Sequence, residues 1–169
     1  MESRELLLTA FDNVEEAVGR ALKGIDPALL TARIDPEANT IGWLVWHLTR
    51  VQDDHVAEVA GREQAYTEAG WADRFALPFH AGATGYGFSS ADVAATRVTD
   101  PRLLVDYHAE VHRRTAEFVS GLSAADLDRV VDERWDPPVT LGVRLVSVIT
   151  DDLQHAGQAA LLRGLLERR

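Results

Sequence analysis

Apolar residues recur at steps of three and four along four long stretches of the chain. Leu6, Leu7, Phe11, Val14, Val18 and Leu22 form one stripe, which predicts a helix from about Ser3 to Lys23. Gly24 and the Asp26–Pro27 step close it. A second helix is expected from a cap at Asn39 or Thr40 to Gly61. Its face carries Ile41, Leu44, Leu48, Val51, His55 and Val59, with His47 at the edge. Asp100–Pro101 starts a third, since Asp caps and Pro suits the first helical position. Leu104, Tyr107, Val111, Phe118 and Leu122 make its stripe, which ends at Gly121–Leu122. The fourth runs from near Thr140 to the end of the chain.

The connections are less regular. Leu29 to Ala38 reads as a connection, Ser123 to Asp126 as the cap of a short turn, and DERWDPPVT as a break. Residues 62–99 include FALPFHAGATGYGFSS, whose aromatics, glycines and proline suit a structured loop over a surface. Connections this long are uncommon and often functional. Ser89 or Ser90 is placed to cap a short helix through Val98. No strand pattern, internal repeat or low-complexity segment emerges. Four amphipathic helices of similar length bury their stripes most simply against one another. The expected fold is therefore all-α: one domain over residues 1–169, a four-helix bundle with a long crossover between helices two and three.

The last helix departs from simple amphipathicity. Ile149, Leu153, Ala156 and Ala160 share one side, and Arg144, Ser147, Asp151, His155 and Gln158 lie along much of the other. Val148, Leu162 and Leu166 share that polar side, which suggests a helix sandwiched on both sides with Asp151 and His155 inside. These two are four apart and project to one spot, the spacing by which a helix gives two ligands to one metal ion. The same spacing also makes a simple surface pair. His108 and His112 on the third helix are an equally spaced rival, and two histidines of one helix with a ligand from elsewhere also bind zinc. Spacing leaves both pairs open. The remaining histidines are His47 and His55 on the second helix and His80 in the Gly-rich loop.

Composition narrows the chemistry. The 169 residues are 46% hydrophobic and 26% charged, a normal globular mix. A formal charge of −10, with lysine only at Lys23, argues against nucleic-acid phosphates and anionic membrane surfaces as partners. There is no cysteine, so disulfides, a cysteine nucleophile and thiolate ligands are excluded. Any thiol chemistry uses a thiol brought by the substrate. The N-terminal MESRELLLTAFDNVEE lacks a signal-peptide pattern and no apolar run is long enough to span a bilayer. A cytoplasmic protein is expected.

WHLTRV in the second helix and DDLQHAGQAALLRGLL in the last resemble the DinB/YfiT-like superfamily, most closely its actinobacterial branch of mycothiol-dependent transferases. The resemblance covers nearly the whole chain, and HAGQAALLRG is its most specific string. It implies a four-helix bundle with a single divalent metal, zinc or nickel first, held by His47, Asp151 and His155, and it sets His108 and His112 aside. Asp151 stands where many members have His and others Glu, a shorter carboxylate that asks the helices to approach more closely. The implied activity is transfer of mycothiol, as cosubstrate, to a small electrophile. Metal-dependent hydrolysis or isomerisation at the same ion, and a non-catalytic metal-binding bundle, are the other readings. Gln158 and Ser147, with Arg50 and Asp54, are candidates to support the ligands. Trp43, Trp46, Phe79, Tyr86 and Phe88 are candidates to line a substrate pocket. The apolar sides of the last helix also lead to the expectation of a homodimer.

Overall fold

A computed structural model describes residues 2–169. Four long helices form the frame: α1 (Ser3–Leu22), α2 (Ile41–Ala60), α6 (Pro101–Ser120) and α7 (Leu141–Leu166). Three short helices lie between α2 and α6: α3 (Ala65–Glu68), α4 (Trp71–Phe75) and α5 (Ser90–Ala95). The all-α bundle is as expected. The chain also makes a two-stranded antiparallel hairpin, β1 (Val130–Asp132) with β2 (Val139–Thr140), where the sequence showed only a break. Strands this short, around two prolines, leave no alternation to read.

The helix ends follow local chemistry. Thr40 Oγ1 accepts from the Trp43 amide at the start of α2, and Gly61 closes it in the left-handed conformation. Asp100 caps α6 with Pro101 first, Thr140 caps α7, and Ser89 caps α5 in a reciprocal pair with Asp92. The sequence thus placed α5's start correctly and its end three residues too late.

α2 and α1 each pack against both α6 and α7. Side-chain contacts give the directions. Thr49 meets His108 and Gln52 meets Thr115, so α2 and α6 advance together. His47 lies by His155 while His55 lies by Arg144, so α2 and α7 run oppositely. Parallel α2 and α6 require the crossover, and residues 62–99 supply it. The core they enclose includes Phe11, Leu44, Trp46, Leu48, Tyr107 and Leu145. α7 is only partly sandwiched: Val148 and Leu162 are buried, whereas Leu153 and Ala160, assigned to its apolar side, are exposed.

The rival histidine pair resolves into two separate roles. His108 is buried beside Thr49, whose hydroxyl donates to the Val45 carbonyl and accepts from His108 Nδ1–H. His112 instead places Nε2 near Asp12 and Glu15 of α1. Burial, with a smaller push from His112, lowers the His108 pKa to about 3. Unfolding exposes it to protonation below its ordinary value, so its contribution is lost as pH falls from about 6.5 toward 3, by at most about 1.4 kcal/mol per pH unit. Urea unfolding at pH 7 and 4.5 should therefore show a loss of stability in the wild type that is smaller by about 2 kcal/mol in His108→Leu. Equal losses in both proteins would contradict this role.

Candidate metal centre

The centre is built from the loop inward. Arg50 has no exposed surface, and its guanidinium lies 3.4 Å from the buried Asp53 carboxylate one turn on. Arg50 also donates to the carbonyls of Ala83 and Ala81, to Gln64 Oε1 and to the Tyr107 hydroxyl. Asp53 accepts from the amides of Ala65 and Tyr66 at the start of α3 and from the Tyr107 hydroxyl. Burial pushes the Asp53 carboxyl above its ordinary range, and the two amides, Tyr107 and Arg50 pull it back in part. This network holds the crossover against α2.

The held loop meets His47. The Thr84 carbonyl lies 2.6 Å from His47 Nδ1, so that nitrogen carries the proton and donates it. Nε2 is left with its lone pair, the form in which imidazole binds metal. Trp43 stacks on the ring at 4.6 Å. Gly85, the next residue of the loop, has φ +92, and a Cβ there would stand 2.8 Å from His47 Nδ1. Only glycine permits both that backbone and that approach.

α7 supplies the other two groups. His155 Nδ1 donates to Gln158 Oε1 at 2.9 Å, again leaving Nε2 as an acceptor. That Nε2 is 3.6 Å from Asp151 Oδ1. The second carboxylate oxygen, Asp151 Oδ2, is buried without a hydrogen-bond partner. One ligand atom from each of His47, Asp151 and His155 lies within 4.8 Å of the others. Neighbouring ligands of a tetrahedral ion with bonds near 2.1 Å are about 3.4 Å apart, so a shift of about 1 Å closes the set. Burial holds the His47 pKa below its ordinary value, with the Thr84 bond and Asp151 raising it and His155 lowering it further. Two imidazoles whose Nδ1 atoms each face an oxygen acceptor, beside an orphaned carboxylate oxygen, fit a divalent cation. The short Asp151 side chain reaches the spot.

His47 and Asp151 line a cavity of about 520 Å³ between α2, α7 and the crossover. Tyr86 of the crossover and Trp135 of the hairpin line it too, with 91% and 65% of their surface exposed. Trp135 lies outside any helical pattern and the sequence offered no sign of it. Of the other aromatics expected here, Trp46 is in the core against Tyr66 and Phe88, and Phe79 packs on Phe88. Gln158 bonds His155. Ser147 instead bonds the Arg144 carbonyl, and Asp54 accepts from Gln64. His80 is exposed in the loop. Asp152, next to Asp151, is fully buried with neither oxygen partnered among the described residues, and burial, with Asp151 beside it, pushes its carboxyl well above the ordinary range.

The model of the mycothiol-S-transferase family matches residues 6–168. The chain belongs to that family. It is also similar to a conserved protein of Enterococcus faecalis of known crystal structure, at 27% identity over 100% of this chain and 99% of that one, with a TM-score of 0.93. No curated protein matches the chain.

Gly85→Ala should displace the loop from His47, and Gln158→Leu should free the His155 ring. Each is expected to weaken zinc binding roughly 10-fold or more in competition with a chelating dye, with the far-ultraviolet circular dichroism unchanged. Unaltered affinity in both would contradict the roles given to these neighbours.

Proposed function

We propose that the chain holds one divalent metal ion, zinc or nickel first, with His47, Asp151 and His155, and transfers a low-molecular-weight thiol, mycothiol, to a small electrophile. The carrying observation is the pair of fixed tautomers. Both ligand histidines spend Nδ1–H on an acceptor, so both Nε2 lone pairs are free toward a carboxylate with an unpartnered oxygen. Two imidazoles and one carboxylate suit a borderline divalent ion and leave positions for a substrate. Bound there, the ion would lower the pKa of a coordinated thiol and supply a thiolate near neutral pH.

The protein's own groups do the rest. Thr84 and Gln158 fix the two rings and make them better donors. Trp43 walls the His47 face and excludes water from it. Tyr86 and Trp135 offer flat surfaces for the organic part of the ligands. The absence of protein thiols means that none competes for the ion. None of the helices in the described residues is long and apolar enough to cross a membrane, in keeping with small-molecule work in the cytoplasm.

Purified protein should contain close to one equivalent of metal, and His47→Ala and Asp151→Ala should lose most of it. Consumption of mycothiol with an electrophile should require the metal and fall by at least about 100-fold in both variants. Turnover without thiol would favour a hydrolase, and metal retained in both variants would overturn the ligand set.

A further inference from the structure

His55 lies two turns beyond His47 on α2, about 12 Å along the axis, and lines the same cavity. It is no part of the metal set. Its Nδ1 is 3.1 Å from Arg144 Nη1. A guanidinium can only donate, so Nδ1 must accept, and the ring proton is on Nε2. Arg144 has no freedom to do otherwise. The same Nη1 donates its other hydrogen to Glu58 at 2.8 Å, and Nη2 donates to Asp132 at 3.2 Å. Asp132 is held in turn by Nε, Nη2 and the backbone amide of Arg134 in the hairpin. His55 Nε2 has no partner among the described residues and is not sealed from solvent.

The surroundings define what that N–H would meet. Asp54 and Asp151 line the cavity. His55 also lines the adjoining pocket, where Arg62, Arg134 and Arg144 stand, each already paired with an acid: Arg62 with Glu117, Arg134 with Asp132, and Arg144 with Glu58 and Asp132. Glu58 stands one turn further along α2. A carboxylate ligand would face these acids at the His55 end, whereas an uncharged oxygen would not. Burial, then Arg144, lowers the His55 pKa, in keeping with a neutral donor, and Asp54, Glu58 and Asp151 oppose this.

We propose that His55 is a specificity residue whose Nε2–H donates to a neutral carbonyl oxygen, amide or ketone, on the small molecule filling the cavity. This rests on reading the cavity as the transferase's substrate site. The Arg134–Asp132–Arg144 chain is its positioning device, since it fixes which ring nitrogen carries the proton. The carbonyl belongs either to an amide of the thiol or to the electrophile.

Histidine side-chain nitrogen NMR on zinc-loaded, ¹⁵N-labelled protein tests this without turnover. The probes are N-acetylcysteinamide, N-acetylcysteine, cysteamine and the ketone 4-phenylbutan-2-one. His55 is expected as the Nε2–H tautomer, with its Nε2–H proton moving downfield on binding N-acetylcysteinamide if the thiol supplies the oxygen, or the ketone if the electrophile does. Cysteamine, which has no carbonyl, should leave it unmoved, and N-acetylcysteine should bind at least about 10-fold more weakly than its amide. His55→Leu should weaken the responding carbonyl probe about 10-fold and leave cysteamine unchanged. His55→Gln, which keeps an N–H near that place, should restore most of the affinity. An Nδ1–H tautomer, no His55 response to any carbonyl probe, or equal weakening of cysteamine in His55→Leu would overturn the proposal. If instead His55 responds to the ketone but no thiol perturbs His47 or His155, this inference stands and the thiol-transfer reading falls.

Discussion

A guanidinium and a carboxylate buried side by side in the bundle are the constraint on which the site depends. Desolvating Arg50 and Asp53 costs several kcal/mol per charge, and their mutual attraction does not repay that without further hydrogen bonds. The missing partners cannot come from α2 itself, whose backbone groups are committed. They come from the crossover, through carbonyls of Ala81 and Ala83 for Arg50 and amides of Ala65 and Tyr66 for Asp53, and from Tyr107 of α6, which stands between the two. A segment rich in glycine is thereby drawn inward and ordered. One residue past Ala83, the Thr84 carbonyl reaches His47 and selects its tautomer. The energetic problem of one buried ion pair and the orientation of His47 are thus solved by the same loop.

That arrangement explains why the candidate ligands sit on rigid elements while the ring of His47 is oriented by a loop. His47, Asp151 and His155 are set by the packing of α2 against α7, and the proton positions by Thr84 and Gln158. The same logic recurs at the other end of the cavity. There the hairpin, through Asp132 and Arg134, orders Arg144 and through it His55. Two irregular segments therefore aim the imidazoles that the helices carry, as is expected when function is placed on loops supported by a regular scaffold.

The sequence made the helices legible because their stripes repeat and their caps are explicit: Thr40, Asp100–Pro101 and Thr140 all act as such. The i, i+4 spacing of Asp151 and His155 brought those two together on inspection, but it gave equal standing to His108 and His112. Their separation into a Thr49 partner and an α1 partner depends on which way each ring faces, which spacing does not encode. Family resemblance joined His47 to the set. In the sequence Arg50 reads only as a polar neighbour of His47. Its burial and its hold on residues 81–83 depend on long-range folding of the crossover. Trp135 and the two short strands carry no periodic signal, and of the adjacent Asp151 and Asp152 one faces the cavity and the other the core.

Membership in the mycothiol-S-transferase family, with a bundle that superimposes on a solved relative over its full length, fixes the scaffold and the kind of chemistry to look for. The central claim concerns one spot between α2 and α7. Diffraction from zinc-soaked crystals, collected on both sides of the zinc absorption edge, tests it most directly. A single strong anomalous peak is expected within about 2.0–2.2 Å of His47 Nε2, His155 Nε2 and an Asp151 carboxylate oxygen. A peak at His108 or His112, or none between α2 and α7, would contradict it.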